Sequence, residues 1–247
     1  MREKQVLSDL ALLDIASEEV EKYGMHPDQF IEWYGPQDGR VVVIVHGDHI
    51  NGDGRLLYLR PAALALGEAG YRVALVEYRR AAGHPEISVA DITALTRHPL
   101  LQDVIWLGHS LGSLLVLGAL FDPETSVKRA VAVAPILDLR REAEEADTPA
   151  AQAIQHWFGG SPSYLPDVYA KYDPTVLYAR MGSADGFAAR GYRLDIIHGS
   201  ADATIPAQHS KDVKGEAFNI AIVPDANHND VILPSHDAWL FLLGALG

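Results

Sequence analysis

The chain contains no cysteine, which excludes disulfides, thiolate metal sites and a cysteine nucleophile. It is also short of positive charge: 20 Lys and Arg stand against 33 Asp and Glu, a formal net charge of −13. Nucleic acid and anionic lipid surfaces both select for clustered cations, so neither is an expected partner. No apolar run is long enough to span a bilayer. The stretch Met1 to Val20 mixes Arg2, Lys4, Asp9, Asp14, Glu18 and Glu19 with short apolar pieces and holds no signal-peptide core, so the cytoplasm is the expected compartment. Repeats and low-complexity linkers are absent as well. The 48% hydrophobic content therefore serves one core, and a single domain over residues 1–247 is expected, as monomer or homodimer.

What is present is an alternation of short apolar runs with helical patterns. Val41–His46, Arg72–Glu77, Asp103–Leu107, Ala130–Ala134, Leu194–His198 and Phe218–Val223 read as buried strands. Between and after them, Leu57–Gly70, Ser88–His98, Ser110–Phe121 and Ser235–Leu246 carry helical spacing. This predicts the α/β class, a mainly parallel central sheet with helices on both faces. Upstream, Leu7–Lys22 reads as a helix and Phe30–Tyr34 as an edge strand pairing with Val41–Val45. The segment from Ile136 to Gly191 is too long for a simple crossover and reads as a lid-like insertion. Within it, Thr148-Pro149 starts a short helix whose face is Ala150, Ile154 and Trp157, ended by Gly159-Gly160. The pairs Ser161-Pro162, Leu165-Pro166 and Asp173-Pro174 predict an extended, turn-rich remainder.

The strongest local signal is Gly108-His109-Ser110-Leu111-Gly112, between an apolar strand and an apolar helix. A strand-to-helix turn this sharp strains its central residue and demands small neighbours two positions away. It exposes the Ser110 hydroxyl and aims the new helix's first N–H groups at whatever binds there. A serine nucleophile needs a histidine base, itself oriented by an acid. Asp202 and His228 follow two successive later strands, Leu194–His198 and Phe218–Val223, in the order such folds use, at the strand ends where open α/β sheets place their sites. Asp202 has a plainer reading as a helix cap, and Asp138 is a rival acid; Asp225 and Asp230 lie too close to His228 in sequence. The loop His46-Gly47-Asp48 is expected to give one oxyanion donor, from Gly47 or Asp48, and Leu111 the other. His46 reads as an organiser of that loop, and His109 as part of the elbow.

No metal and no cofactor are expected. His49, Asn51 and Asp53 have partial calcium-loop spacing, but the first position is not Asp and the twelfth is Arg60 in place of a bidentate Glu. Gly52-Asp53-Gly54 lacks the third glycine of a dinucleotide fingerprint.

Much of the chain resembles the small α/β hydrolases grouped with kynurenine formamidase (arylformamidase) and related bacterial esterases. The resemblance rests on Tyr23-Gly24-Met25-His26-Pro27, His46-Gly47, Glu77-Tyr78-Arg79-Arg80, Gly108-His109-Ser110 and Ala134-Pro135-Ile136-Leu137-Asp138-Leu139. It continues through Tyr169 to Asp173-Pro174, His198-Gly199 with Asp202 and Pro206, His228, and Pro234 to Trp239. It implies an α/β-hydrolase fold and a Ser110–His228–Asp202 triad acting on a small ester or amide. The chain departs from the family where Asp48 replaces the second glycine of His-Gly-Gly, and where Leu111 and Ser113 follow the nucleophile. Trp157, Phe158 and Tyr164 of the insertion are candidate pocket residues. The competing expectation, from a different class, is a ligand-binding or scaffolding protein that keeps this fold without turnover.

Overall fold

The computed structural model describes residues 9–10, 12–47, 56–145, 148–182, 184–213 and 218–247. Among the described residues, eight strands form one sheet: β1 (Glu19–Lys22), β2 (Phe30–Tyr34), β3 (Arg40–Val45), β4 (Tyr71–Glu77), β5 (Ile105–His109), β6 (Arg129–Val133), β7 (Arg193–Gly199) and β8 (Phe218–Val223). Their spatial order is β1-β2-β4-β3-β5-β6-β7-β8. From β4 across to β8 every pairing is parallel, while β2 runs antiparallel to both β1 and β4.

Ten α-helices accompany the sheet among the described residues: α1 (Arg60–Glu68), α2 (Pro85–Leu95), α3 (Leu111–Leu120), α4 (Leu139–Glu144) and α5 (Pro149–Phe158) come first. They are followed by α6 (Pro166–Tyr172), α7 (Pro174–Arg180), α8 (Ala184–Ala189), α9 (Gln208–Asp212) and α10 (Trp239–Leu246). None is long and apolar enough to cross a membrane.

The central strands are unbroken apolar runs because both faces are covered. Side chains alternate between faces with a period of two. Val43, Val45, Ala74, Val76, Trp106, Ala130 and Ala132 pack with α2, α3 and the insertion. Their neighbours Val42, Ile44, Val73, Leu75, Ile105, Leu107, Val131 and Val133 pack with α1 and α10. Each fully buried valine or leucine contributes about 1.5–3 kcal/mol relative to exposure, so a polar substitution on either face breaks a core. Helix α3 is apolar on nearly all sides because it lies between the sheet and the insertion.

Two expectations for the N-terminal region are corrected. Within Leu7–Lys22, residues 19–22 form a strand, β1, and not a helix; their partner is the antiparallel β2. Strand β2 does not pair with Val41–Val45, since both edges of β3 are already taken by β4 and β5. It joins the remaining edge of β4 instead. The connection passes very close to its surroundings at Gly35, where φ is +78° and a Cβ would sit 2.1 Å from the Tyr71 carbonyl oxygen. Only glycine permits that approach.

The insertion is more helical than its prolines imply. Pro166 and Pro174 each occupy the first turn of a helix, α6 and α7, where the missing N–H costs nothing. Asp173 accepts the Thr175 amide at 2.9 Å and so caps α7. The α5 reading holds: Thr148 accepts the Ala151 amide at 3.0 Å, and Gly159 ends the helix at φ +82°. The insertion docks along the flank of α3 through Tyr178 and Phe187, whose rings lie 5.4 and 6.1 Å from that of Phe121.

Candidate active site

Strand β5 delivers Ser110 in a strained conformation, φ 54° and ψ −124°. Both flanking glycines are required by contact with backbone. A Cβ on Gly108 would sit 2.5 Å from Ser113 Cα, and one on Gly112 would sit 2.3 Å from the Val45 carbonyl oxygen. The strain is held from several sides. The Ser110 amide donates to the Val133 carbonyl at 2.9 Å. Ser113 Oγ donates to the Ser110 carbonyl and accepts the Ile136 amide. Ser113 thus ties the elbow to the start of the insertion.

Asp202 is buried, and both its oxygens are engaged. Oδ1 accepts the Thr204 and Ile205 amides at 2.8 and 2.9 Å in a turn; the helix-cap reading does not hold, because α9 starts only at Gln208 with Ala207 at its N-cap. Oδ2 accepts from His228 Nδ1 at 2.8 Å and from His198 Nε2 at 3.0 Å. Burial alone would push this carboxyl's pKa up. The His228 charge, the hydrogen bonds from His198 and His228, and the Ile205 amide outweigh burial and hold it well below the usual carboxylate range. An ionised Asp202 keeps the His228 proton on Nδ1 and leaves Nε2 as the basic atom. The rival Asp138 is occupied otherwise: it caps α4 by accepting the Arg141 amide at 2.9 Å.

The elbow and the base are joined through His109. Its Nε2 donates to the His228 carbonyl at 3.1 Å, and the two rings lie 5.0 Å apart. A carbonyl can only accept, so Nε2 carries the proton and Nδ1 accepts the Tyr58 hydroxyl at 3.0 Å. Tyr58 in turn accepts the Gly47 amide at 2.8 Å. Gly47 presses on the elbow: a Cβ there would lie 3.1 Å from Ser110 Cβ and 3.4 Å from the Leu111 nitrogen. Of the two expected donors in this loop, Gly47 already has its N–H bonded to Tyr58; Asp48 lies outside the described residues, as do His49, Asn51 and Asp53. Leu111 opens α3, where first-turn amides lack intrahelical acceptors.

His46 organises the loop from beneath. Its Nε2 faces Glu77 at 3.0 Å, its Nδ1 faces the Gly47 carbonyl, and its ring stacks 4.5 Å from Tyr78. Glu77 is fully buried and also pairs with Arg80 at 3.0 Å. Burial would raise its pKa, but His46, Arg80 and the Leu56 amide together lower it.

Sequence reasoning missed Tyr58 and gave His198 no role. Nothing distinguishes Tyr58 within a helical stretch. His198 stands in a His-Gly pair after a strand, a signal that could have been followed. The three insertion aromatics differ in their surroundings. Tyr164 is 79% exposed, just beyond the turn at Pro162. Phe158 is buried among Trp157, Tyr169 and Tyr172. Trp157 lines a cavity of about 500 Å³ between α2, α3 and α6–α7, whose walls do not include Ser110, Asp202 or His228.

An open, mainly parallel sheet with a strained serine turn after β5 and an Asp–His pair after β7 and β8 defines the α/β-hydrolase fold. The chain belongs to the alpha/beta hydrolase family, whose profile matches residues 42–241. Among solved structures it is similar to a truncated carbohydrate esterase from gut microbiota (15% identity, TM-score 0.68, covering 95% of this chain and 99% of that one). It is also similar to esterase B from Lactobacillus rhamnosis inhibited by a tributyrin phosphonate (17%, 0.66, 99% and 88%). A third is an acetyl ester-xyloside bifunctional hydrolase from Caldicellulosiruptor lactoaceticus (14%, 0.60, 95% and 99%). No curated protein sequence matches the chain.

Proposed function

We propose that this protein is a serine hydrolase that cleaves small carboxylic esters or amides through an acyl-enzyme. Ser110 Oγ attacks the carbonyl carbon while His228 Nε2 takes its proton. The tetrahedral oxyanion collapses, the C–O or C–N bond breaks, and His228 returns the proton to the leaving group. Water, deprotonated by the same nitrogen, then hydrolyses the acyl-enzyme. Asp202 holds Nδ1–H and stabilises the imidazolium in both halves. The oxyanion donors are the Leu111 amide and an amide of the loop after Gly47. With the Gly47 amide bonded to Tyr58, that second role falls to Asp48. Each donor is worth on the order of 3 kcal/mol of barrier in comparable sites.

The observation that carries this reading is the 2.8 Å bond from His228 to Asp202, with His109 linking that histidine to the serine turn. For the substrate, the esterases among the similar structures support an acyl ester; the resemblance to arylformamidases keeps N-formylkynurenine as the formamide alternative. Purified wild-type and Ser110→Ala proteins assayed on p-nitrophenyl acetate, p-nitrophenyl butyrate and N-formylkynurenine decide among these. Turnover of at least one substrate, lost in Ser110→Ala, is expected. Equal activity in the two proteins would reject the mechanism.

A further inference from the structure

The insertion and the acid loop meet at a cluster that the triad does not use. Glu142 on α4 is fully buried, and neither of its carboxylate oxygens has a hydrogen-bond partner. Its Oε2 lies 2.6 Å from His209 Nδ1 on α9. Glu145, just past the end of α4, brings its own Oε2 to 3.0 Å from His209 Nε2, and that oxygen too is buried without a hydrogen bond. One ligand atom from each of the three residues falls within 4.8 Å of the others.

A buried carboxylate with no hydrogen bond is rare in folded proteins and calls for a compensating group. His209 pairs with both carboxylates at contact distance, Glu142 at Nδ1 and Glu145 at Nε2, but Glu142 Oε1 is left buried with no partner at all. Two carboxylates converge here on one imidazole. The nearby cation, Arg141, is already paired with Asp212 at 2.8 Å. A protonated imidazole offsets only one of the two carboxylate charges, and the three residues offer ligand atoms within 4.8 Å of one another.

We propose that Glu142, Glu145 and His209 bind a divalent transition cation of the Zn²⁺ type. One imidazole nitrogen and two carboxylates are donors such an ion accepts, with water completing its shell. These residues are not those of the His49–Asp53 loop weighed in the sequence. The site is structural. It ties the start of the insertion to α9, whose Ser210 bonds His198 Nδ1 at 2.7 Å, and His198 holds Asp202. An ion here would fix the insertion against the element that supports the acid.

The test uses tag-free full-length protein, stripped with chelator and dialysed, then titrated with ZnCl₂ by calorimetry and followed by thermal unfolding. One equivalent should bind, and the melting temperature should rise with free zinc as mass action requires. His209→Gln should abolish both effects. Glu145→Gln changes a half-exposed side chain and should leave the zinc-free fold intact while weakening binding about tenfold or more. Absence of zinc binding by the wild type would overturn the proposal and leave a plain His–Glu ion pair. Equal binding by wild type and Glu145→Gln would overturn it as well, by placing the zinc elsewhere. Both readouts are independent of catalysis, so they stand or fall apart from the hydrolase reading.

Discussion

At the scale of single residues, the site depends on which hydrogen each partner can supply. Asp202 Oδ2 is shared by two histidines, and only one of them can be the base. His198 Nε2 faces the Ile205 carbonyl at 3.0 Å as well as the carboxylate, so it carries a proton and can only donate. Its place is behind the acid, where it acts as a positioning residue. Removing it leaves a buried acceptor short of a donor, a cost of about 1–3 kcal/mol. His198→Gln should therefore lower kcat by roughly tenfold, with KM little changed, and should move the acidic limb of the pH–rate profile. A purely structural role would instead reduce stability and leave the profile of the folded fraction in place.

At the scale of elements, two glycines of α3 have opposite meanings. Gly112 is jammed against β3, and a Cβ there would overlap the Val45 and His46 carbonyl oxygens at 2.3 and 2.4 Å. Gly118 faces the cavity lined by Trp157, where an added Cβ meets nothing within 4 Å. Gly112→Ala should destabilise by several kcal/mol or prevent folding, the usual outcome of an unrelieved backbone clash. Gly118→Ala should stabilise by about 1 kcal/mol from helix propensity. Urea midpoints of the two variants measure both, and a destabilised Gly118→Ala would mean that the helix is placed otherwise.

The same element explains what could be read in advance. The parallel strands, the serine turn and the order Ser110, Asp202, His228 follow from periodicities and glycine spacing that are local in sequence. The N-terminal pairing was not legible, because the β2 partner is decided by which edge of β4 remains free, a property of the finished sheet. The prolines of the insertion also misled: Pro166 and Pro174 bias the preceding residue to be extended, yet each starts a helix. The Gly47–Tyr58–His109 relay joins residues distant in sequence, and no local pattern announces it.

At the scale of the whole molecule, two buried carboxyls set the acid limit of stability. Asp202 and Glu77 have pKa values lowered in the fold, so each contributes stability that is complete above the ordinary carboxylate range. That contribution falls away as the pH drops from this range toward the depressed folded values. Unfolding free energy should accordingly decline from about pH 4.5 downward, starting near the unperturbed carboxyl pKa. Glu77→Gln should be less stable than wild type at pH 7 and lose less on acidification. Parallel pH profiles for the two proteins would show that Glu77 does not take part.

The most direct test of the central claim is labelling with a fluorophosphonate probe, followed by mass spectrometry of the modified peptide. The account predicts one adduct, on Ser110, abolished in Ser110→Ala and slowed by about 10³–10⁴ in Asp202→Asn, where His228 loses the acceptor that fixes its tautomer. Labelling at another residue, or full-rate labelling of Ser110 in Asp202→Asn, would contradict it.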